Sequence, residues 1–252
     1  AMGDSYYEYL LKLWLLNRHK ETLPRFDQES FKARNKVNLK MLVDVLHAVN
    51  TNLVETSAGS HLVYVGEFKS GRVEKRMDHL ACFSAGLFGM TADQVSSLDP
   101  ADKRLFMQLA VNITNTCHES YIRSPTHIGP EAFHFERPET EAQALKQNEK
   151  YYILRPEVIE AYFYMWRLTK EQKYRDWAWD AVKAFEKHCR TENGYTGIRD
   201  VYNVESEKDD VQQSFFFAET LKYLFLIFSD DSVLPLDKYV LNTEAHPFLI
   251  PK

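Results

Sequence analysis

Helical periodicity constrains the fold of this chain more than any other feature of its sequence. About seven segments place apolar residues three and four positions apart, the spacing that gives a helix one buried face. They cover approximately residues 4–16, 27–49, 77–90, 101–121, 156–168, 170–189 and 210–228. One alternating stretch, residues 61–68, runs into a turn at Ser70-Gly71 and predicts a single β-hairpin. The pattern predicts an all-α fold of paired helices with small β-hairpins.

The helix predicted to begin at Pro156 carries an unusual set of charges. Glu157 and Glu160 follow in its first turn, where the helix dipole favours carboxylates, and Arg155 stands beside them. Because the two glutamates are three residues apart, both point to one side of the helix. The local pattern alone favours two acids that cap the helix at the surface. The alternative is a functional site, because buried acids are costly unless something uses them.

Composition limits the class of protein. A chain of 252 residues with 44% hydrophobic residues can bury one sizeable core or two small ones. The net charge of −5 gives no reason to expect a nucleic-acid partner. No apolar run reaches about 18 residues, so the sequence predicts no membrane span. Ala1-Met2 is typical of a cloning scar, and the helical pattern begins almost at once, so we expect residues 3–252 to come from a longer chain.

Four smaller features leave alternatives open. Gly86 and Gly89 lie inside one predicted helix, which indicates close packing, since each weakens a helix by about 1 kcal/mol. Glu219 sits in the apolar middle of the last predicted helix and invites a partner or a site. Asn112-Ile113-Thr114 is a glycosylation sequon that matters only in a secretory protein. The three cysteines allow one disulfide and one free thiol, or three buried thiols; they are Cys82, Cys117 and Cys189.

Several long segments match a known family in its own order. They are GDSYYEYLLKLW, MDHLACF, TCHESY, GPEAFHF, NEKYYILRPEVIEAYFYMWRLT, DDVQQSFFFAETLKYLFLIFSDD and NTEAHP, within residues 3–247. In these segments the chain resembles the class I α-1,2-mannosidases, glycoside hydrolase family 47, and its sequence is closer to the Golgi-type members than to the ER-resident type. The resemblance implies an (α/α)7 barrel, a toroid of helical hairpins with Ca²⁺ at the bottom of its cavity. The family's general-acid glutamate has no counterpart here, so residues 3–252 are expected to form the C-terminal portion of one catalytic domain and about half of its barrel.

The resemblance also implies roles for individual residues. Asp4 matches a catalytic carboxylate, and Glu157 matches the base that activates water. Thr243 matches the side chain that binds calcium. Cys82 and Cys117 match the family's disulfide, which leaves Cys189 free. The residues that match the sugar pocket or hold calcium-bound waters are His79, Glu131, Arg155, Glu160, Phe215, Glu219 and Glu244.

Without the family match, several of these residues have plainer interpretations. His79 would be a satisfied core histidine, Phe215 ordinary core, and Glu219 a charge on a helix face. Their joint placement inside the matching segments favours the pocket. A hard cation with oxygen ligands would also allow several carboxylates to face one cavity without strong repulsion.

The implied function is Ca²⁺-dependent hydrolysis of terminal α-1,2-linked mannose from high-mannose N-glycans, Man9GlcNAc2 towards Man5GlcNAc2, with inversion. Inversion needs an acid and a base that are far enough apart for a water molecule to fit between them. Carboxylates on different helices can provide this separation. The implied location is the lumenal face of the Golgi membrane, with the ER lumen as the alternative. Attachment to the membrane would run only through an N-terminal anchor outside this sequence.

Two other functions stay open. The chain could be part of a non-catalytic, lectin-like protein that binds mannose glycans in ER quality control. It could also be a scaffold half that associates with the N-terminal half, or a second copy, to cover apolar helix faces. Because the acid is missing, we expect this chain alone to be inactive or nearly so.

Overall fold

The computed structural model describes residues 4–18 and 28–251. Ala1-Met2 and Gly3, and the expected start of the second helix at Asp27, lie outside the described residues. The described part is mainly helical, as the periodicity predicts. Its α-helices are α1 (Asp4–Asn17), α2 (Gln28–Asn52), α3 (Ser84–Gln94), α4 (Pro100–Ile122), α5 (Glu157–Thr169), α6 (Lys173–His188) and α7 (Lys222–Phe228).

The helices form two rows. Consecutive helices pair as α1 with α2, α3 with α4, and α5 with α6. The odd-numbered helices also contact one another in order, from α1 through α3 and α5 to α7. They therefore form one row, with α2, α4 and α6 behind it. The N-terminal ends of α1 and α5, in the first row, carry Asp4 and Glu157.

Local sequence signals explain the ends and spacing of these helices. Asp99 Oδ1 accepts the backbone N–H of Ala101 at 2.7 Å, so it satisfies one of the first N–H groups of α4, which have no partner inside the helix. Pro100 takes the first position of α4, where its missing N–H costs nothing. Two glycines of α3 allow α5 to approach closely. A Cβ on Gly86 would lie 2.5 Å from the Tyr164 ring, and one on Gly89 would lie 2.9 Å from Leu168. The close packing predicted for these glycines is confirmed.

The described residues also form four two-stranded antiparallel sheets. They are β1 (Val54–Thr56) with β2 (Val63–Val65), β3 (Glu67–Lys69) with β4 (Arg72–Glu74), β5 (Arg76–Asp78) with β6 (Ala132–His134), and β7 (Tyr239–Leu241) with β8 (Pro247–Leu249). The hairpin turn at Ser70-Gly71 is confirmed between β3 and β4. The prediction that the whole stretch 61–68 belongs to this hairpin is wrong, because β2 pairs with β1 and the Gly66 N–H donates to the Leu53 carbonyl.

Two predicted helices differ from the structure in ways that matter for the site. The segment 77–90 does not begin as a helix, because Met77 pairs with Phe133 between β5 and β6. A 3-10 turn over His79–Phe83 then leads into α3. The last predicted helix begins late, and its first part is a π-helical turn over Phe216–Leu221. Residues 210–213 are not helical.

One disulfide fixes the 3-10 turn to α4, in the row of even-numbered helices. Cys82 and Cys117 are bonded, and Cys189 is a buried free cysteine, so the expected pairing is confirmed. The bond joins the 3-10 turn after β5 to α4. It therefore anchors the segment that carries His79.

None of the described helices combines the length and the apolar character that a bilayer crossing requires. The sequon residue Asn112 lies within α4, where its side chain accepts a hydrogen bond from Gln108, while Thr114 is buried. Its occupancy stays a prediction.

A histidine between α4, α5 and α6 gives the fold a pH dependence. The His118 ring stacks on Trp177 with 3.8 Å between ring centroids, and its Nδ1 lies 3.0 Å from the Tyr162 hydroxyl. Burial lowers the pKa of His118 to about 4, against a weaker opposing effect of Asp180. The unfolded chain therefore binds more protons than the folded protein between about pH 6.5 and pH 4.

We predict that the unfolding free energy falls by about 3 kcal/mol from this residue alone as the pH drops through that window. Urea denaturation at several pH values would show a shallower pH slope for His118→Gln than for the wild type. The exposed His61→Asn variant should keep the wild-type slope, and Asn suits the left-handed backbone there. Equal slopes for the wild type and His118→Gln would contradict the assignment.

Candidate active site

Glu157 is the residue around which the predicted site is arranged. It begins α5, and only 6% of the residue is exposed. Its Oε2 lies 2.7 Å from His79 Nδ1, and its Oε1 lies 3.6 Å from the Arg155 guanidinium. Glu160 is equally buried. The interpretation of these glutamates as surface caps is therefore wrong.

The surroundings of Glu157 favour its charged form. Burial by itself would raise the pKa of this carboxyl group. The hydrogen bond with His79, the charge of His79 and the charge of Arg155 outweigh burial and hold the pKa of Glu157 below its ordinary value. A buried carboxylate that stays charged can accept a proton from water.

Arg155 is itself fixed by a second glutamate. Its Nε and Nη2 donate to the two carboxylate oxygens of Glu131, each at 2.6 Å. The Glu131 carbonyl accepts the backbone N–H of His79 at 2.8 Å, so this pair also fixes the turn that carries His79. Burial alone would lower the pKa of Arg155, but Glu131 and Glu157 raise it. The expected grouping of His79, Glu131, Arg155 and Glu157 is present as one contact network.

The backbone before Glu157 is held in an uncommon conformation. Leu154 is fully buried and has φ of 67°, in the left-handed region. This conformation costs an L-residue about 1–2 kcal/mol. The Thr220 hydroxyl donates to the Leu154 carbonyl at 2.8 Å. The π-helical turn that carries Glu219 is thus tied to the segment that carries Arg155 and Glu157.

Glu160 faces a buried ion pair that sequence reasoning missed. The Tyr223 hydroxyl donates to Glu160 Oε1 at 3.1 Å. Glu8 and Lys12, one turn apart on α1, form a buried ion pair close to it. Burial, and then the charge of Glu8, raise the pKa of Glu160 well above its ordinary value, against the opposing charge of Lys12. A glutamate four residues before a lysine usually marks an exposed helix face, so the spacing gave no signal of burial.

Glu219 lies in the wide π-helical turn, with 6% of the residue exposed. Burial first, and then the charges of Glu244 and Glu157, raise the pKa of Glu219 to about 8. A hydrogen bond between the side chains of Glu219 and Glu244 adds to the shift. π-helical turns occur often at functional sites. The predicted convergence of Glu219 and Glu244 is present.

Thr243 lies in the turn between β7 and β8. Asn242 Oδ1 accepts the backbone N–H groups of Glu244 and His246 at 3.0 and 2.8 Å. Lys222 Nζ donates to the Ala245 carbonyl at 2.8 Å, which anchors the turn to α7. The turn therefore holds Thr243 in a defined place beside Glu244.

Asp4, Glu160, Phe215 and Thr243 have no described hydrogen bond or ion pair to another predicted site residue. The Asp4 carboxylate accepts the backbone N–H of Ser5 at 3.0 Å. Asp4 also lines a cavity of about 290 Å³ with Arg76 and Asp78, the residue before His79. Phe215 is half-buried just before the π-helical turn. Their roles stay predictions from the resemblance.

The site is a buried cluster of carboxylates held on a scaffold of helical hairpins. The profile of glycosyl hydrolase family 47 matches residues 1–250, so the chain belongs to that family. A solved structure of an α-1,2-mannosidase from Trichoderma reesei is 28% identical, with a TM-score of 0.82, over 98% of this chain and 51% of the fungal one. The expected fold class, helical hairpins of an (α/α)7 barrel, is confirmed.

Among curated proteins, the chain is similar to named mannosidases from animals. It is 57% identical to mannosyl-oligosaccharide alpha-1,2-mannosidase IA of Drosophila melanogaster, over 99% of this chain and 35% of that protein. It is 51% identical to mannosyl-oligosaccharide 1,2-alpha-mannosidase IA of Sus scrofa, over 98% of this chain and 35% of that protein. The chain spans about a third of the length of these relatives and corresponds to their C-terminal part.

We predict that Lys12→Met lowers the unfolding free energy by about 3–5 kcal/mol, because it leaves Glu8 buried without its cation beside Glu160. Urea denaturation at neutral pH measures the change. The matched control is Lys40→Met, which removes an exposed ion pair with Asp44 at the same helical spacing. Its effect should stay within about 1 kcal/mol. Similar losses in the two variants would show that the buried pair has no special role.

Proposed function

We propose that the intact domain to which this chain belongs hydrolyses terminal α-1,2-linked mannose from high-mannose N-glycans, with inversion of configuration. The observation that carries the proposal is the Glu157 carboxylate, buried, charged and held by His79 and Arg155. The names of the similar animal enzymes support α-1,2-linked mannose in oligosaccharides as the substrate. The expected course of the reaction is from Man9GlcNAc2 towards Man5GlcNAc2.

In the proposed reaction Glu157 is the base. It takes a proton from water as the water attacks the anomeric carbon, while an acid protonates the leaving oxygen from the other side of the ring. Asp4 is the second catalytic carboxylate contributed by this chain, on α1 rather than α5. The general acid is expected from another part of the domain.

The residues present fit a hard cation. Thr243 and the carboxylates of Glu219 and Glu244 offer only oxygen, which Ca²⁺ prefers. Burial first, and then repulsion from Glu244 and Glu157, raise the pKa of Glu219, and a cation would relieve that repulsion. Within residues 4–18 and 28–251, no three His, Cys, Asp or Glu side chains are grouped closely enough to hold a metal by themselves. The proposed direct ligand is Thr243, with the carboxylates as holders of water, as the family resemblance implies. When bound, Ca²⁺ would be coordinated by the oxygen atoms of sugar hydroxyls and water and so orient them.

The proposed location is the lumenal face of the Golgi membrane, with the ER lumen as the alternative. The Cys82–Cys117 disulfide supports a compartment in which thiols are oxidised. Cell fractionation followed by immunodetection would separate the two locations.

We predict that the first mannose released from Man9GlcNAc2 by the intact domain is the β anomer, observed by proton NMR before mutarotation. An initial α anomer would exclude inversion. Glu157→Gln should lower kcat on the order of 10²–10⁴-fold, because the amide cannot accept the proton. Glu192→Gln, at an exposed glutamate, should retain wild-type kcat. Tight glycan binding by the wild type with no release would favour the lectin-like alternative.

We also predict that Thr243→Val weakens Ca²⁺ binding by at least about tenfold, because it removes a hydroxyl ligand while keeping the side-chain shape. Calcium titration followed by the melting temperature gives an affinity without relying on activity. Thr243→Ser keeps the hydroxyl and should bind nearly as tightly as the wild type. Equal affinities for the Val and Ser variants would remove Thr243 from the calcium site.

A further inference from the structure

The turn that carries Thr243 is closed by its own hydrogen bonds. Asn242 Oδ1 accepts the backbone N–H groups of Glu244 and His246, and the Asn242 carbonyl accepts the N–H of Ala245 at 3.1 Å. The Asn242 N–H in turn donates to the His246 carbonyl at 3.0 Å. These bonds give the turn its shape, but they do not fix its place relative to the helices.

Lys222, at the start of α7, links this turn to the helical scaffold. Its Nζ donates to the Ala245 carbonyl at 2.8 Å. Because the donor is an ammonium group, the bond is stronger than one between neutral groups. A second link is the hydrogen bond between the side chains of Glu219 and Glu244. Of these two described hydrogen bonds, the one from Lys222 is the one that reaches the backbone of the turn.

The residue that Lys222 holds has an uncommon backbone conformation. Ala245 is fully buried and has φ of 55°, in the left-handed region. This conformation costs an L-residue about 1–2 kcal/mol, so it persists only where the surroundings hold it. Thr243 is two residues before Ala245. A shift of the Ala245 backbone would therefore displace Thr243.

The charge of Lys222 does not explain its place beside a calcium site. Two cations repel each other, so a lysine at this position weakens calcium binding by its charge alone. An ammonium group also has no lone pair to offer a metal. The hydrogen bond to the Ala245 carbonyl is the contribution that can offset this repulsion.

We propose that Lys222 is a positioning residue for calcium: it fixes the turn 242–246 against α7 through the Ala245 carbonyl, and the affinity for Ca²⁺ depends on that bond. The inference deepens the proposed function, because it rests on Thr243 as the calcium ligand. It does not depend on whether the intact domain hydrolyses a glycan.

The test is calorimetric titration of the calcium-free intact domain with Ca²⁺. Lys222→Met keeps the apolar stem of the side chain and removes both the donor and the charge. We expect Ca²⁺ binding to weaken at least about tenfold, as for other residues that orient metal ligands. Loss of the charge alone would have the opposite sign and tighten binding. An affinity equal to or tighter than that of the wild type would overturn the proposal.

Two further variants separate the hydrogen bond from the loss of any lysine. Lys222→Arg keeps the charge and the donors and should bind Ca²⁺ nearly as tightly as the wild type. Lys103→Met is the matched control, because Lys103 is also half-buried and donates to a backbone carbonyl, that of Ser96, at 3.2 Å. It should retain the wild-type affinity. A loss as large as that of Lys222→Met would assign the effect to general destabilisation and overturn the proposal.

Circular dichroism establishes that each variant is folded. If Lys222→Met does not fold, Lys222→Gln serves instead, since its neutral side chain is too short to reach as far. It should also bind Ca²⁺ more weakly than the wild type, and equal or tighter binding would overturn the proposal.

Activity provides a second measurement. Saturating Ca²⁺ should restore most of the wild-type kcat in Lys222→Met, and a kcat that stays low would overturn a role confined to calcium. If the wild type binds Ca²⁺ but releases no mannose, the proposed hydrolysis fails, and the titration still decides the role of Lys222. A wild type that binds no Ca²⁺ would overturn both the calcium site and this proposal.

Discussion

The burial of the Glu157 carboxylate is the constraint that the surrounding structure has to satisfy. A charge removed from water is costly unless it is paired and hydrogen-bonded. His79, in the 3-10 turn before α3, and Arg155, in the irregular segment before α5, provide the pairing. Those segments are fixed in turn by the pairing of β5 with β6, by Glu131 and by the Thr220 hydroxyl. The helices supply the rigid scaffold, and the irregular segments supply the partners.

The other carboxylates of the cluster are balanced differently. Glu160 and Glu219 have raised pKa values, because burial and neighbouring acids oppose their charge. Lys12 lies on the same face of α1 as Glu8, and its charge offsets part of the rise in the pKa of Glu160. Arg155 is already shared by Glu131 and Glu157. Among the described residues, the cluster therefore holds more acidic side chains than basic ones.

Sequence reasoning could predict the features that depend on local pattern. Helical periodicity located the paired helices, and the internal glycines of α3 indicated close packing, which the structure shows to be against α5. The 3-10 turn at His79 was missed because its backbone is set by pairing with residues 132–134, far away in sequence. Lys12 was missed because burial of a charged pair depends on what packs over it. The roles of Asp4, Phe215 and Thr243 came from family resemblance alone, since no local pattern marks them.

The disulfide also affects the chemistry of residues it does not touch. Cys82 and Cys117 flank the contact between His79 and Tyr121, one on each of the two segments that meet there. Reduction would leave every carboxylate, histidine and tyrosine of the site chemically unchanged. It would remove one restraint between the 3-10 turn and α4, while the β5–β6 pairing and the Glu131 carbonyl would still hold the turn. The oxidation state of two cysteines thus bears on how firmly the partner of a glutamate on another helix is held in place.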